Sequence, residues 1–265
     1  MSKDWFGLIW GLILGITEYW PVSVSGHQQL ASALFGLPAI EVLWGIVLLS
    51  GTIAGTVVLL WHDVRKIITA PFGKQSLLAL TGAVPLGITN WACAPYIRRW
   101  EASGVVLAAG FLLNGCLLWF IHTRSRGRRG LRRISIKEYL ALGMLQSLSV
   151  FPGLSRMGLL LCGSSMYNLN SRTAVRVSLR ISLFVLLGRL FMLADRFISA
   201  GNTAVFLDAG VWRLVAGFFT AAAVSYGAGR MLPKLINRGA LRIFSVYCFF
   251  LACVALGLKM LGNMG

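Results

Sequence analysis

The feature that most constrains this chain is a recurring run of apolar residues about as long as a bilayer is thick. Such runs lie near 42–61, 76–97, 104–122, 176–198, 210–229 and 241–262. Each supplies the roughly 20 residues a helix needs to cross a hydrocarbon core of about 30 Å. Composition excludes a single soluble core: 57% of the 265 residues are hydrophobic and 12% are charged, against about 25% charged in soluble chains. The first apolar stretch follows Lys3-Asp4, contains Glu18 and lacks a small-residue cleavage site, so no cleaved signal peptide is expected. The expected class is an all-α integral membrane protein.

Two further apolar stretches are broken. The first runs from about Trp5 to Trp20, stops at Pro21, and resumes after Val22-Ser23-Val24-Ser25-Gly26-His27 to end near Leu37. The second runs from about Tyr139 to Phe151, breaks at Pro152-Gly153-Leu154-Ser155-Arg156-Met157-Gly158, and resumes to about Tyr167. Each piece is too short to span alone, and such breaks persist only where protein or a wet cavity satisfies the freed backbone groups. They read as re-entrant helical hairpins over 5–37 and 139–167, each followed by three transmembrane helices. A basic linker, 124–138, separates the halves 1–123 and 139–265.

Charge orients the halves. Lys and Arg are dense in 62–75, 123–138, 172–180 and 230–242, absent from 199–210, and limited to Arg98 and Arg99 in 95–103. With the dense loops in the cytoplasm, the first hairpin enters from outside and the second from inside. Each half then crosses an odd number of times, which makes the two inverted-topology repeats with both termini outside. Broken helices that meet near the midplane of inverted repeats are a known way to build a substrate site. In a soluble protein the net charge of +17 would point to nucleic acid. Here the basic residues sit in loops facing anionic membrane lipids and the aromatics lie within apolar spans, so no nucleic-acid partner is expected. Cys93, Cys116, Cys162, Cys248 and Cys253 are scattered without a CxxC pair and read as small packing residues.

Polar residues gather at the two breaks. Glu18 is an ionisable group inside an apolar hairpin, which marks a functional site by default; Ser23, Ser25 and His27 follow it. The second break offers Gln146, Ser147, Ser149, Gly153, Ser155 and Arg156, and Arg156 opens a short helix. A helix N-terminus beside a guanidinium favours an anion. If the hairpins meet, the set suits a phosphate or pyrophosphate headgroup whose apolar tail stays in lipid. Plainer readings stand beside this one. Ser147 and Ser149 could bond the carbonyl one turn back, His27 could be an interfacial histidine, and Glu18 with Arg156 a structural ion pair. Arg180 and Arg189 fall in or near the span 176–198; Arg180 either snorkels to the surface or faces the cavity, and Arg189 is a candidate for lining it. Glu41 and His62 read as interfacial span ends. No Gly-rich nucleotide loop, zinc motif or nucleophile elbow is present.

At these residues the chain resembles the undecaprenyl-diphosphate phosphatase family, the bacitracin-resistance proteins. That family's first motif reads roughly Glu-Gly-x-Thr-Glu-Phe-x-Pro-Val-Ser-Ser-Thr-Gly-His. The matching stretch is Leu14-Gly15-Ile16-Thr17-Glu18-Tyr19-Trp20-Pro21-Val22-Ser23-Val24-Ser25-Gly26-His27. The second motif reads roughly Gly-x-x-Gln-x-x-Ala-x-x-Pro-Gly-x-Ser-Arg-Ser-Gly-x-Thr, matched from Gly143 through Gln146, Pro152, Gly153, Ser155, Arg156 and Gly158 to Leu160. Weaker likeness runs along the whole chain, at Ser50-Gly51-Thr52, Pro85-Leu86-Gly87 and Ser171-Arg172-Thr173-Ala174.

The resemblance implies a bacterial inner-membrane enzyme that removes one phosphate from a C55 isoprenoid diphosphate, recycling the lipid carrier of peptidoglycan and other glycans. It implies Glu18, His27, Ser25 and Ser23 as catalytic residues, Arg156, Ser155, Gly153 and Gln146 as phosphate-binding residues, and Mg²⁺ or Ca²⁺ held in part by Glu18. A homodimer stays open. The chain departs from the motifs where Leu14 replaces an acid, Val24 a serine, and Met157 and Leu160 a serine and a threonine. Phosphoryl transfer depends mainly on positioning and charge neutralisation, and a metal prefers more than one carboxylate. Two readings therefore remain: a phosphatase with a reduced site, or a catalytically silent relative that binds or translocates polyprenyl-phosphate lipid.

Overall fold

The computed structural model describes residues 5–38, 40–123, 127–131, 134–200, 210–262 and 264. Positions 124–126 and 132–133 of the expected linker lie outside the described residues, as do 201–209. In chain order the helices are α1 (Phe6–Thr17), α2 (Val24–Phe35), α3 (Val42–Leu59), α4 (Trp61–Thr69), α5 (Lys74–Ala102), α6 (Gly104–Thr123), α7 (Ile136–Gln146), α8 (Arg156–Met166), α9 (Ser171–Ser199), α10 (Val211–Asn237) and α11 (Leu241–Met260). A single turn of 3₁₀ helix, Ser147–Val150, follows α7. Among the described residues there is no strand, only one bridge between Arg129 and Leu169. Six helices, α3, α5, α6, α9, α10 and α11, are long and apolar enough to cross a membrane. The chain is an all-α multi-pass membrane protein.

The helix ends follow local chemistry. At the first break Glu18 and Trp20 still donate to Leu14 and Ile16, at 2.9 and 3.0 Å, but Pro21 has no N–H to continue the ladder. At the second break α7 and its 3₁₀ turn end before Pro152. Several expected boundaries shift. α7 starts at Ile136, inside the expected linker, because Ser135 and Glu138 form a capping box that fixes a helix start. α5 runs on to Ala102 and α10 to Asn237; past 97 and 229 the helices continue through segments where charged residues interrupt the apolar run. α4 was not expected as a helix of its own. It turns off directly after α3, and only Asp63 and Val64 of its nine residues are buried.

Packing places the breaks. α10 lies against α1 and α3, α5 lies against α7 and α9, α6 pairs with α11, and α3 crosses α9. In lipid such contacts rest on close packing rather than on hydrophobic transfer. α1 achieves it with glycines four residues apart: a Cβ at Gly7 would fall 2.6 Å from the Trp44 ring, and one at Gly15 2.8 Å from the Val224 side chain. The largest buried cluster, including Tyr19, Tyr139, Leu160, Ile181 and Leu186, fills the centre behind the two breaks.

Candidate functional site

The two breaks are built alike. The Ser23 hydroxyl accepts from the Gly26 N–H at 3.3 Å, and the Ser155 hydroxyl accepts from the Gly158 N–H at 3.2 Å. Each serine thereby N-caps the helix that follows it. The other N–H groups of those first turns lack intrahelical acceptors. Ser23 adopts φ 71° to make this turn, a costly conformation for a residue with a Cβ.

Asn114 of α6 ties one break to the other. Its Nδ2 donates to the Pro21 carbonyl at 2.8 Å, and its Oδ1 accepts from the Ser155 N–H at 3.0 Å. Both ends of a fully buried amide are used. α6 approaches this closely because Gly110 carries no side chain: a Cβ there would lie 1.9 Å from the Pro152 carbonyl oxygen. Gly153 turns the chain at φ 88° against the α6 backbone.

The tie holds Arg156 against Glu18. The Arg156 guanidinium donates to one Glu18 carboxylate oxygen, and Arg189 of α9 stands 3.9 Å from the other. Arg156 Nη1 is buried and has no partner among the described residues. Glu18, Ser25, Gln28, Glu101 and Arg189 all line two adjoining hollows. The smaller, about 220 Å³, is a pit faced by the first turns of α2 and α8, through Val24, Ser25, Ser155, Arg156 and Met157. The larger, about 810 Å³, is a cleft that reaches Leu14, Ser32, Glu41 and Arg196. Two helix N-termini and a spare guanidinium donor aimed at one pit make a seat for an anion.

Other residues singled out in the sequence lie elsewhere. His27 bonds the Ser23 carbonyl through Nδ1 at 2.7 Å and the Tyr247 hydroxyl through Nε2 at 2.8 Å. A carbonyl only accepts, so this network assigns the proton to Nδ1 and leaves Nε2 to accept from Tyr247. The imidazole stacks on the Tyr247 ring and lines neither hollow. The Ser23 hydroxyl is committed to its cap, and Gln146 donates through Nε2 to the Gly82 carbonyl at 2.6 Å, tying α7 to α5. Ser147 bonds the Gly143 carbonyl one turn back, whereas Ser149 lines the pit. Arg180 neither snorkels nor lines the hollows: it is buried on Asp63 of α4. Arg176 completes that cluster with two bonds to Asp63, both 2.8 Å.

Sequence reasoning missed Asn114, Gln28, Asn90 and Glu101 at the site. Asn114 had a usable signal, being a lone amide in an otherwise apolar span. For the divalent cation the donor set is poor. The oxygens of Glu18 face two guanidiniums, Leu14 stands in the cleft wall, and no group of three His, Cys, Asp or Glu gathers among the described residues. Hard cations ask for several oxygen donors around one point; Glu101 lines both hollows with Glu18, but no third such ligand joins them among the described residues.

A family model described as Bacitracin resistance protein BacA matches residues 7–254. The undecaprenyl-diphosphatase of Carboxydothermus hydrogenoformans is 29% identical over 256 residues, covering 97% of each chain. That of Desulfosudis oleivorans is 30% identical, covering 96% of this chain and 98% of its own. That of Korarchaeum cryptofilum is 27% identical over 267 residues.

Proposed function

The chain belongs to the bacitracin resistance protein BacA family, and from that premise we propose that it is a membrane phosphatase that converts a polyprenyl diphosphate, undecaprenyl diphosphate above all, to the monophosphate. The observation that carries this reading is the convergence of the capped α2 and α8 N-termini and the Glu18–Arg156 pair on one pit beside a larger cleft. The terminal phosphate takes the pit, where first-turn N–H groups and Arg156 neutralise it. The second phosphate lies toward Arg189, and the isoprenoid leaves through the cleft. Charge neutralisation falls to Arg156 and Arg189, so no step is routed through Mg²⁺ or Ca²⁺. Diphosphate oxygens compete with Glu18 for Arg156, which frees the carboxylate to take a proton from the attacking hydroxyl. Ser25, the one hydroxyl of the first break that lines the pit, either supplies that hydroxyl or orients a water. Attack on the terminal phosphorus breaks the P–O–P bridge and expels the polyprenyl monophosphate; where Ser25 attacks, water then hydrolyses the phosphoserine to free phosphate. His27 acts by packing α2 against α11 rather than as the base.

We also read the halves as inverted repeats. The pairings support this: exchanging α1, α3 and α6 with α7, α9 and α11, and α5 with α10, carries α1–α10 onto α7–α5 and α3–α10 onto α9–α5, and α6–α11 onto itself. Basic α4, which follows α3, and the Arg-rich start of α9 then face the cytoplasm and the cleft faces outward.

Purified protein given a C55 or C15 diphosphate should release phosphate, and Glu18→Gln or Arg156→Ala should lower the release by orders of magnitude. A second reading is favoured by the apolar side chains in the walls, Leu14 in the cleft with Val24 and Met157 in the pit. On it the protein binds or moves polyprenyl-phosphate without hydrolysis. Tight lipid-phosphate binding with no release, and release only in the Leu14→Glu, Val24→Ser double variant, would establish it.

A further inference from the structure

Arginines also gather at the N-terminal end of α9, beside α4 and far from the pit. Arg172 and Arg189 are both on α9, and their 17-residue separation corresponds to about 25 Å of helix. A pocket of about 210 Å³ opens there between α4 and α9. Leu59, Leu60, Val175 and Leu179 form its apolar walls, and His62, Arg172 and Arg176 its polar rim.

The charges at this rim do not cancel. Asp63 serves both Arg176 and Arg180, so one carboxylate faces two guanidiniums. Arg176 binds it through Nε and Nη2, which leaves Nη1 on a side chain that is 41% exposed. Arg172 is exposed in the first turn of α9, adding a third guanidinium. Next to the pocket, Trp61, Ile68 and Phe72 are 56%, 69% and 86% exposed, interspersed with exposed Arg65, Lys66 and Lys74. Aromatic and aliphatic side chains mixed with cations on a short helix and the turn after it, between two spans, are the signature of a segment lying in the headgroup layer. That position sets the pocket at the depth of lipid phosphates, with its apolar wall facing acyl chains.

We propose that the α4–α9 pocket binds the headgroup of an anionic phospholipid from the surrounding leaflet, its phosphodiester against Arg172 and Arg176 and its glycerol end along Leu59 and Leu179. A zwitterionic phospholipid carries the same phosphate with a compensating cation, which Arg172 and Arg176 would repel. The occupant is therefore selected by net charge.

Native mass spectrometry of the detergent-purified protein, given equal amounts of phosphatidylglycerol and phosphatidylcholine with matched chains, tests this. Wild type should retain phosphatidylglycerol preferentially. Arg172→Ala should lower that preference about fivefold, the weight of one Lys or Arg at an anionic surface, and Arg172→Lys should restore part of it. Arg238→Ala removes the same charge from an exposed position outside the pocket and should leave the preference in place. Equal losses in Arg172→Ala and Arg238→Ala would reduce the effect to general charge and overturn the proposal. Displacement of the lipid by millimolar inorganic phosphate would also overturn it, because the seat would then belong to a soluble anion. Circular dichroism of each variant separates loss of binding from loss of fold.

Discussion

Two buried carboxylates in this chain each face two arginines. Asp63 receives a two-pronged bond from Arg176 and another from Arg180, joining α4 to α9 where only a shallow pocket approaches. Glu18 holds Arg156 with one oxygen, has Arg189 at 3.9 Å from the other, and borders two hollows. The composition of the two clusters is the same and the geometry is not. Where the carboxylate is gripped from both sides, the ions hold helices together. Where only one guanidinium bonds the carboxylate, the other stands off at 3.9 Å and two hollows border the acid, the same ions wait for a ligand. Counting charged residues could not have separated the two.

The contrast can be broken most forcefully at Asp63. Asp63→Asn leaves Arg180 buried against a neutral amide, and removing one partner of a buried pair costs about 3–5 kcal/mol. Thermal unfolding in detergent should show that loss, while phosphate release per folded molecule stays near wild type. Glu18→Gln should destabilise clearly less, since the pit that Arg156 lines can admit water to its guanidinium; an equal loss of stability would erase the distinction. Arg156→Ala shifts the weight to activity, with release falling about 10²–10³-fold, as when one oxyanion donor is removed, and with a smaller loss of unfolding temperature than Asp63→Asn. Asn114→Ala should lie between, stranding the Ser155 N–H and the Pro21 carbonyl at about 1–3 kcal/mol for a buried unsatisfied group and loosening the pit as well.

The smallest effect is in acid. Burial alone would raise the Asp63 carboxyl, but the Arg176 and Arg180 bonds outweigh it and hold the group below the ordinary carboxylate range. Asp63 therefore adds stability that is complete above the unfolded pKa of about 3.9 and is lost as pH falls through the lower folded value. Unfolding followed between pH 6 and pH 2.5 should show less acid destabilisation in Asp63→Asn than in wild type. Some acid sensitivity should survive, because Arg129 similarly depresses Glu138. An unchanged acid profile would remove Asp63 from the account.

The spans were legible because a bilayer imposes a minimum apolar length on every helix that crosses it, and both breaks because Pro21 and Pro152 interrupt apolar runs. Glu18 and Arg156 stood out as charges in lipid-like surroundings, and they do meet. What escaped was long-range or short. Asp63 is 113 residues from Arg176, and no local pattern pairs them, so Arg180 read as a surface or cavity residue. α4, only nine residues long, gives no apolar run of span length. His27 sat in the right motif, but the direction of its ring depends on Tyr247, 220 residues away. Gln146 likewise matched a motif whose side chain here bonds the α5 backbone.

The glycine ladder of α1 has a reach beyond its own contacts. Gly7, Gly11 and Gly15 let α1 rest directly on α10 and Trp44, and Glu18 follows three residues after the last of them. The carboxylate thus inherits its height in the membrane from three absent side chains. A single methyl added at Gly15, nowhere near a phosphate, would tilt the lever that carries the acid and part it from its guanidinium.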